Sequence, residues 1–236
     1  MAMRTSARLR VAAAALSGVL AATCLWGWLF VDHASQDADA LAEAREQGRQ
    51  EARAQIVLDR PVPEGNWMPL WLQTDPQWSR VEYSTGTIES HGCGLTCAAM
   101  AIKYMTTQDV TPLILSGYVG DECLTGGIND MAKFSHWICE RYPEYGVEHS
   151  GAVWTLDEAL ALVDDGWLVF AGMEGALGGK QYGSHVVLLW GVDENGNYLM
   201  RDPDDAENSA RPWTREELAS ATWGNFNGLK GGYYGN

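Results

Sequence analysis

Cys93 has glycine on both sides in Gly92-Cys93-Gly94-Leu95-Thr96-Cys97 and heads a run whose apolar residues recur at helical spacing. That run, Leu95, Ala98, Ala99, Ile102 and Met105, puts Cys93 in or just before the first turn of a helix. The free N–H groups at a helix start favour a thiolate. A thiolate beside an imidazole is an activated nucleophile, and the flanking glycines would let a substrate backbone come close. The chemistry these residues suit is cysteine-dependent acyl transfer. Cys97, one turn further along among Ala98, Ala99 and Met100, reads as a small buried hydrophobe.

The imidazole expected to serve Cys93 is His185. It follows Gly183-Ser184 and leads into the apolar run Val186 to Trp190, so it sits where a glycine-rich loop enters a buried strand. His33 belongs to an acidic N-terminal stretch, His136 falls inside a helix and His149 in a loop. His91 is close to Cys93 in sequence, which does not by itself bring its ring to the sulfur. A catalytic imidazole needs a third group to fix its tautomer. Asp202 in Arg201-Asp202-Pro203-Asp204-Asp205 is the candidate, with Asp204 in reserve. An ideal two-residue turn at Asn195-Gly196 would set Asp202 opposite Leu189, too far along the strand from His185, so a bulge near Gly191 is needed to join them.

Metal chemistry finds little support. His91, Cys93 and Cys97 lack the second close pair of a zinc site, and the Asp202, Asp204, Asp205 cluster lacks the glycine and closing glutamate of a calcium loop. No cofactor is required by the cysteine chemistry.

The elements that must hold these residues change character along the chain. The first half reads as helices: the Cys93 helix, a short one from the N-cap Thr111-Pro112 through Tyr118, one from Ile128 to Cys139 stopped by Tyr142-Pro143, and one from the capping box Thr155 to Glu158. Gly126-Gly127 separates the second and third. The second half reads as strands at Trp167 to Phe170, Val186 to Trp190 and Tyr198 to Met200, then a small helix from Thr214. The predicted class is α+β, with N-terminal helices packed on an antiparallel sheet.

Ahead of this domain, Arg4, Arg8 and Arg10 precede an uncharged stretch from Val11 to Val31, long enough to span a bilayer. The expected organisation is a cytoplasmic end and signal anchor over 1–31, a helical stalk over 32–61 and the catalytic domain over 62–236. Ala38-Asp39-Ala40 offers the alternative of a cleaved, secreted form. All 31 acidic residues follow the apolar stretch, in a chain of formal net charge −15. Nucleic acid is therefore excluded as an expected partner. Cys93, Cys97, Cys123 and Cys139 would lie in an oxidising exterior, and Cys123 with Cys139 is the first disulfide to test.

Gln73-Thr74-Asp75-Pro76-Gln77-Trp78, the segment from Thr87-Ile88 to Thr96, Gly183-Ser184-His185 and Arg201-Asp202-Pro203 together resemble the stand-alone relatives of double-glycine (bacteriocin-processing) papain-like cysteine peptidases. The resemblance runs over nearly all of the chain after the stalk. It implies a papain-like fold with Cys93 as nucleophile, His185 as acid and base, Asp202 as orienting group, and Gln73 as donor to the oxyanion. A leucine stands at position 95, where the relatives commonly carry proline. The expected activity is hydrolysis of a peptide or protein at the cell surface. The alternatives are a cell-wall peptide hydrolase, a transglutaminase-like acyltransferase, or a binding module without turnover.

Overall fold

A computed structural model describes residues 68–232. The apolar stretch and the stalk, expected over residues 1–61, lie outside the described residues. Among the described residues no helix is long and apolar enough to cross a membrane.

The described part opens with a small hairpin, β1 (Glu82–Tyr83) and β2 (Gly86–Thr87), and a short helix α1 (Ile88–His91). The helix that Cys93 opens, α2 (Cys93–Thr106), comes next. Gly92 is both the last cap of α1 and the first cap of α2. A Cβ at Gly92 would lie 2.5 Å from the Ile88 carbonyl oxygen, and one at Gly94 would lie 2.6 Å from Asn129 Cβ. Both glycines are thus demanded by packing inside the protein, before any substrate approaches.

Helix α3 (Pro112–Val119) starts as the sequence predicts, with the Thr111 side chain accepting from Ile114 N and proline in the first turn. Residues 124–129 depart from expectation. They form a second small hairpin, β3 (Leu124–Thr125) and β4 (Ile128–Asn129), turned by Gly126 and Gly127 in left-handed conformations. Ile128 is a strand residue, and helix α4 begins only at Met131, capped by Asp130, and runs to Arg141. The two-residue strands around Gly126-Gly127 give no alternation for a sequence reading to detect.

Five strands make the main antiparallel sheet, in the order β5-β9-β6-β7-β8. They are β5 (Glu148–Val153), β6 (Leu168–Leu177), β7 (Lys180–Val192), β8 (Tyr198–Arg201) and β9 (Thr222–Lys230). Helix α5 (Leu156–Asp164) and helix α6 (Arg215–Ala219) start at the capping boxes of Thr155 and Thr214, as the sequence predicts. The architecture is α+β. Helix α2 packs on one face of the sheet, where Phe170, Leu188 and Leu229 join Leu95, Ala98 and Ile102 in one apolar cluster. The other face, with Val187, Leu189 and Phe226, packs against Leu160 and Val163 of α5 in a second cluster.

In the main sheet, two strands were not expected. His149 lies in β5 rather than in a loop, and β9 lies inside the sheet between β5 and β6. Strand β7 is also longer than its apolar run, so Gly183-Ser184-His185 is strand and not loop.

Strand β7 carries two register shifts. Gly175 faces Tyr182 and Met173 faces His185, so three steps on β7 answer two on β6. Leu189 faces Met200 and Gly191 faces Leu199, so two steps on β7 answer one on β8 and Trp190 is the extra residue. Each bulge turns the strand by one residue and changes which side chains share a face.

Candidate active site

Cys93 opens α2, so its N–H is among the first-turn donors that have no acceptor within the helix. Its sulfur is close enough to the His185 ring to help raise the imidazole, and both residues line one cavity. His185 Nε2 meets Asp202 Oδ1 at 2.8 Å, which leaves Nδ1 for the sulfur. The three side chains form one line from thiol to carboxylate, and Cys93 and His185 share the wall of a cavity of about 270 Å³. Ser90, His91, Ile128, Asn129, Ser184 and Val186 are among its other lining residues.

The turn and the second bulge of β7 together account for the His185–Asp202 contact. Asp193 pairs with Asn197 around a three-residue loop instead of the expected two-residue turn, moving the register by one, and the bulge moves it by one more. With Trp190 extruded, Leu188 faces Arg201, and one step further the pairing sets Asp202 beside Val187, diagonal to His185 on the same face. The first bulge brings Tyr182 to that face as well. Its ring stacks on the His185 ring, with centroids 4.9 Å apart and planes 13° from parallel.

Asp202 is fully buried and its carboxylate is fully partnered. Oδ1 accepts from His185 and, at 2.9 Å, from Asp204 N. Oδ2 accepts a short hydrogen bond from the Tyr182 hydroxyl, which itself accepts from Asn208 Nδ2 at 2.6 Å. Burial works against the Asp202 charge, but the bonds from His185, Tyr182 and Asp204 outweigh it and hold the carboxyl below its ordinary range. Burial likewise disfavours a charged His185. The Asp202 bond and the Cys93 sulfur overcome it and push the imidazole up to about 9. Tyr182 is raised well above an ordinary phenol by burial and by Asp202, so it remains a donor.

The other sequence candidates hold lesser places. Asp204 is taken by Lys180, whose Nζ donates to its Oδ2 at 2.7 Å, so it supports Asp202 through its N–H alone. His91 lines the same cavity, but its ring nitrogens are engaged by Ser90 at 2.8 Å and Thr85 at 3.3 Å. Cys97 is fully buried, its thiol pushed up by burial, and it donates to Val186 O at 3.4 Å. Cys123 and Cys139, the pair expected as the first disulfide to test, are free thiols, as are Cys93 and Cys97. Among the described residues no group of three or more metal-binding side chains occurs.

Gln73 is buried beside the site without lining the cavity. Its N–H donates to Pro203 O at 2.7 Å, tying it to the Asp202 segment, and its Nε2 donates to Glu89 O at 2.6 Å. One hydrogen of that amide is spoken for, and Oε1 is buried without a partner.

Sequence reasoning missed Tyr182 and Asn129. The only signal for Tyr182 was its place just before Gly183-Ser184-His185. Asn129 sits in a segment that read as helix.

Cys93, His185 and Asp202 thus bring a thiol, an imidazole and a buried carboxylate to one place in the fold. The chain belongs to the Peptidase_C39 like family, whose model matches residues 71–230. No curated protein matches it.

Proposed function

We propose that this protein is a cysteine peptidase of papain-like fold that hydrolyses peptide bonds through Cys93, His185 and Asp202. The observation that carries this reading is the 2.8 Å bond between His185 Nε2 and the buried Asp202 Oδ1, with His185 and Cys93 together on the wall of one cavity. In the first step Cys93 Sγ bonds to the substrate carbonyl carbon, and electron density moves onto the carbonyl oxygen. The Cys93 N–H and the second amide hydrogen of Gln73 would stabilise that oxyanion, a donor of this kind contributing roughly 3 kcal/mol. The carbon–nitrogen bond then breaks as the His185 imidazolium gives its proton to the leaving amine. Water attacks the thioester, His185 takes its proton, and the acid product leaves with Cys93 restored.

The expected setting is the outer face of a membrane, because Arg4, Arg8 and Arg10 precede the apolar stretch from Val11 to Val31. The substrate is accordingly a peptide or protein met outside the cytoplasm. The test is turnover of an unbiased peptide mixture by the full chain, read by mass spectrometry, with Cys93→Ala as control. New peptide ends that appear with the parent protein and vanish with Cys93→Ala support the reading. Ends that persist in Cys93→Ala, or no cleavage with cross-linking or wall hydrolysis instead, overturn it.

A further inference from the structure

Besides His185, the Cys93 sulfur has a second neighbour. Asn129 Nδ2 lies 3.7 Å from Cys93 Sγ and donates to His91 O at 2.7 Å. Asn129 Oδ1 accepts from the Tyr83 hydroxyl at 2.8 Å. The amide's orientation is fixed by its partners, since the His91 carbonyl can only accept and must therefore face the NH2 group. Tyr83 is nearly buried and its phenol is raised by burial, so it stays a donor. One amide hydrogen of Asn129 thus holds the loop ahead of the nucleophile, and the other faces the sulfur.

The surroundings preserve this arrangement. Ser84 Oγ donates to Gly127 O at 2.5 Å, so the β1–β2 turn is tied to the β3–β4 turn at two points, Tyr83–Asn129 and Ser84–Gly127. Ser84 holds a left-handed φ of 55°, a conformation that costs a non-glycine residue energy and is retained beside this contact. Gly94 supplies the remaining room, because a Cβ there would meet Asn129 Cβ at 2.6 Å and Met131 Sδ at 2.7 Å.

We propose that Asn129 is a fourth member of the site, donating its free amide hydrogen to the Cys93 sulfur and holding the thiolate between itself and the His185 imidazolium. The inference builds on the cysteine-peptidase reading, but its test needs no peptide substrate. Alkylation of Cys93 in the full chain by iodoacetamide at about pH 5 reads the reactive thiolate directly, because the thiolate is the species that attacks. Asn129→Ala is expected to slow it about tenfold, the loss expected for a hydrogen bond to a charged group. Asn129→Asp keeps the shape but sets an anionic acceptor against the sulfur, and should slow it further.

Tyr83→Phe keeps the ring and removes only the bond that orients the amide, so a smaller loss is expected. If Asn129→Ala does not fold, Tyr83→Phe decides. Alkylation at the parent rate in a folded Asn129→Ala, or in Tyr83→Phe when Asn129→Ala does not fold, overturns the proposal. So does an Asn129→Asp variant as fast as Asn129→Ala. A chain whose Cys93 alkylates as expected yet cleaves no peptide would overturn the peptidase reading and leave this one standing.

Discussion

Tyr182 covers one face of the His185 ring and gives its hydroxyl hydrogen to the same carboxylate that binds His185 Nε2. One residue therefore restrains both members of the imidazole–carboxylate pair. The stack fixes the plane of the ring, and the hydroxyl fixes the carboxylate that sets its tautomer. Tyr182→Phe should retain the stack and lose the bond, lowering stability by about 1 kcal/mol and turnover by a few-fold. Tyr182→Ala should reduce turnover much further. Thermal unfolding and kcat measured on the same preparations distinguish the two.

Asp202→Asn is the informative change at the carboxylate. An amide oxygen can still accept from His185 and Asp204 N, and its NH2 can donate to the Tyr182 hydroxyl, so the variant should fold. Asp202→Ala leaves the Tyr182 hydroxyl and Asp204 N without their acceptor and should cost about 2 to 3 kcal/mol of stability as well. Turnover is expected to fall about a hundredfold in Asp202→Ala and less in Asp202→Asn. Equal kcat in the parent and in Asp202→Ala would remove Asp202 from the mechanism.

The pH profile is set by His185. Its folded value is raised to about 9 from an unfolded value near 6.5, so the stability it contributes is complete below about 6.5 and is lost as pH rises through about 9. Asp202 is lowered on folding, so its contribution is present above the ordinary aspartate value of 3.8 and is lost as pH falls through its folded value. The leaving amine needs the imidazolium, so activity should decline on the alkaline side near pH 9. In Asp202→Asn that decline should begin at lower pH, because the carboxylate that raised the imidazole is gone. Initial rates across pH for both proteins check this.

Thiol labelling separates Cys93 from the buried Cys97 and Cys123. Cys93 lies on the cavity wall, while Cys97 is fully buried and Cys123 nearly so, its thiol pushed up to about 12 by burial. Iodoacetamide on the folded protein should mark Cys93 first, with Cys97 and Cys123 marked only after denaturation. Peptide mapping of the alkylated protein shows the order. Equal labelling of Cys93 and Cys97 would count against the nucleophile assignment.

Gly94→Ala tests the packing around the nucleophile. Alanine normally strengthens a helix interior. Here its methyl group would strike Asn129 and Met131, and such overpacking costs about 1 to 3 kcal/mol. The variant should therefore melt lower than the parent and alkylate more slowly at Cys93, whereas a gain in melting temperature would show that the contact is slack.

Much of this site was legible because its chemistry is written in residue types. Cys93 headed an apolar-periodic run, His185 stood at the head of an apolar run that is the second part of β7, and Asp202 closed the hairpin signalled by Asn195-Gly196. The same hairpin register also called for a bulge near Gly191, and the extra residue is the neighbouring Trp190. Tyr182 was hidden because three residues of separation in a regular strand put side chains on opposite faces, and only the bulge at 183–184 restores them to one. Asn129 was hidden by a hairpin too short to alternate. Strand β9 was missed for a different reason: glycine and asparagine interrupt it at Gly224, Asn225, Asn227 and Gly228, and its place is set by neighbours. At Gly228 a Cβ would already lie 3.0 Å from Ser150 Oγ and 3.1 Å from Trp167.

The position of β9 also bears on when the site can come into being. Among the described residues the strand is the last in chain order, yet it lies between β5 and β6 and pairs with both. As the polypeptide emerges from the ribosome, β6, β7 and β8 can join by their own hairpins, but β6 keeps an open edge and β5 has no partner in the sheet until residues 222–230 arrive. The framework behind His185 is therefore closed only once residues 222–230 have been made, and a chain cut short before Thr222 would present an unpaired, apolar strand edge to its neighbours.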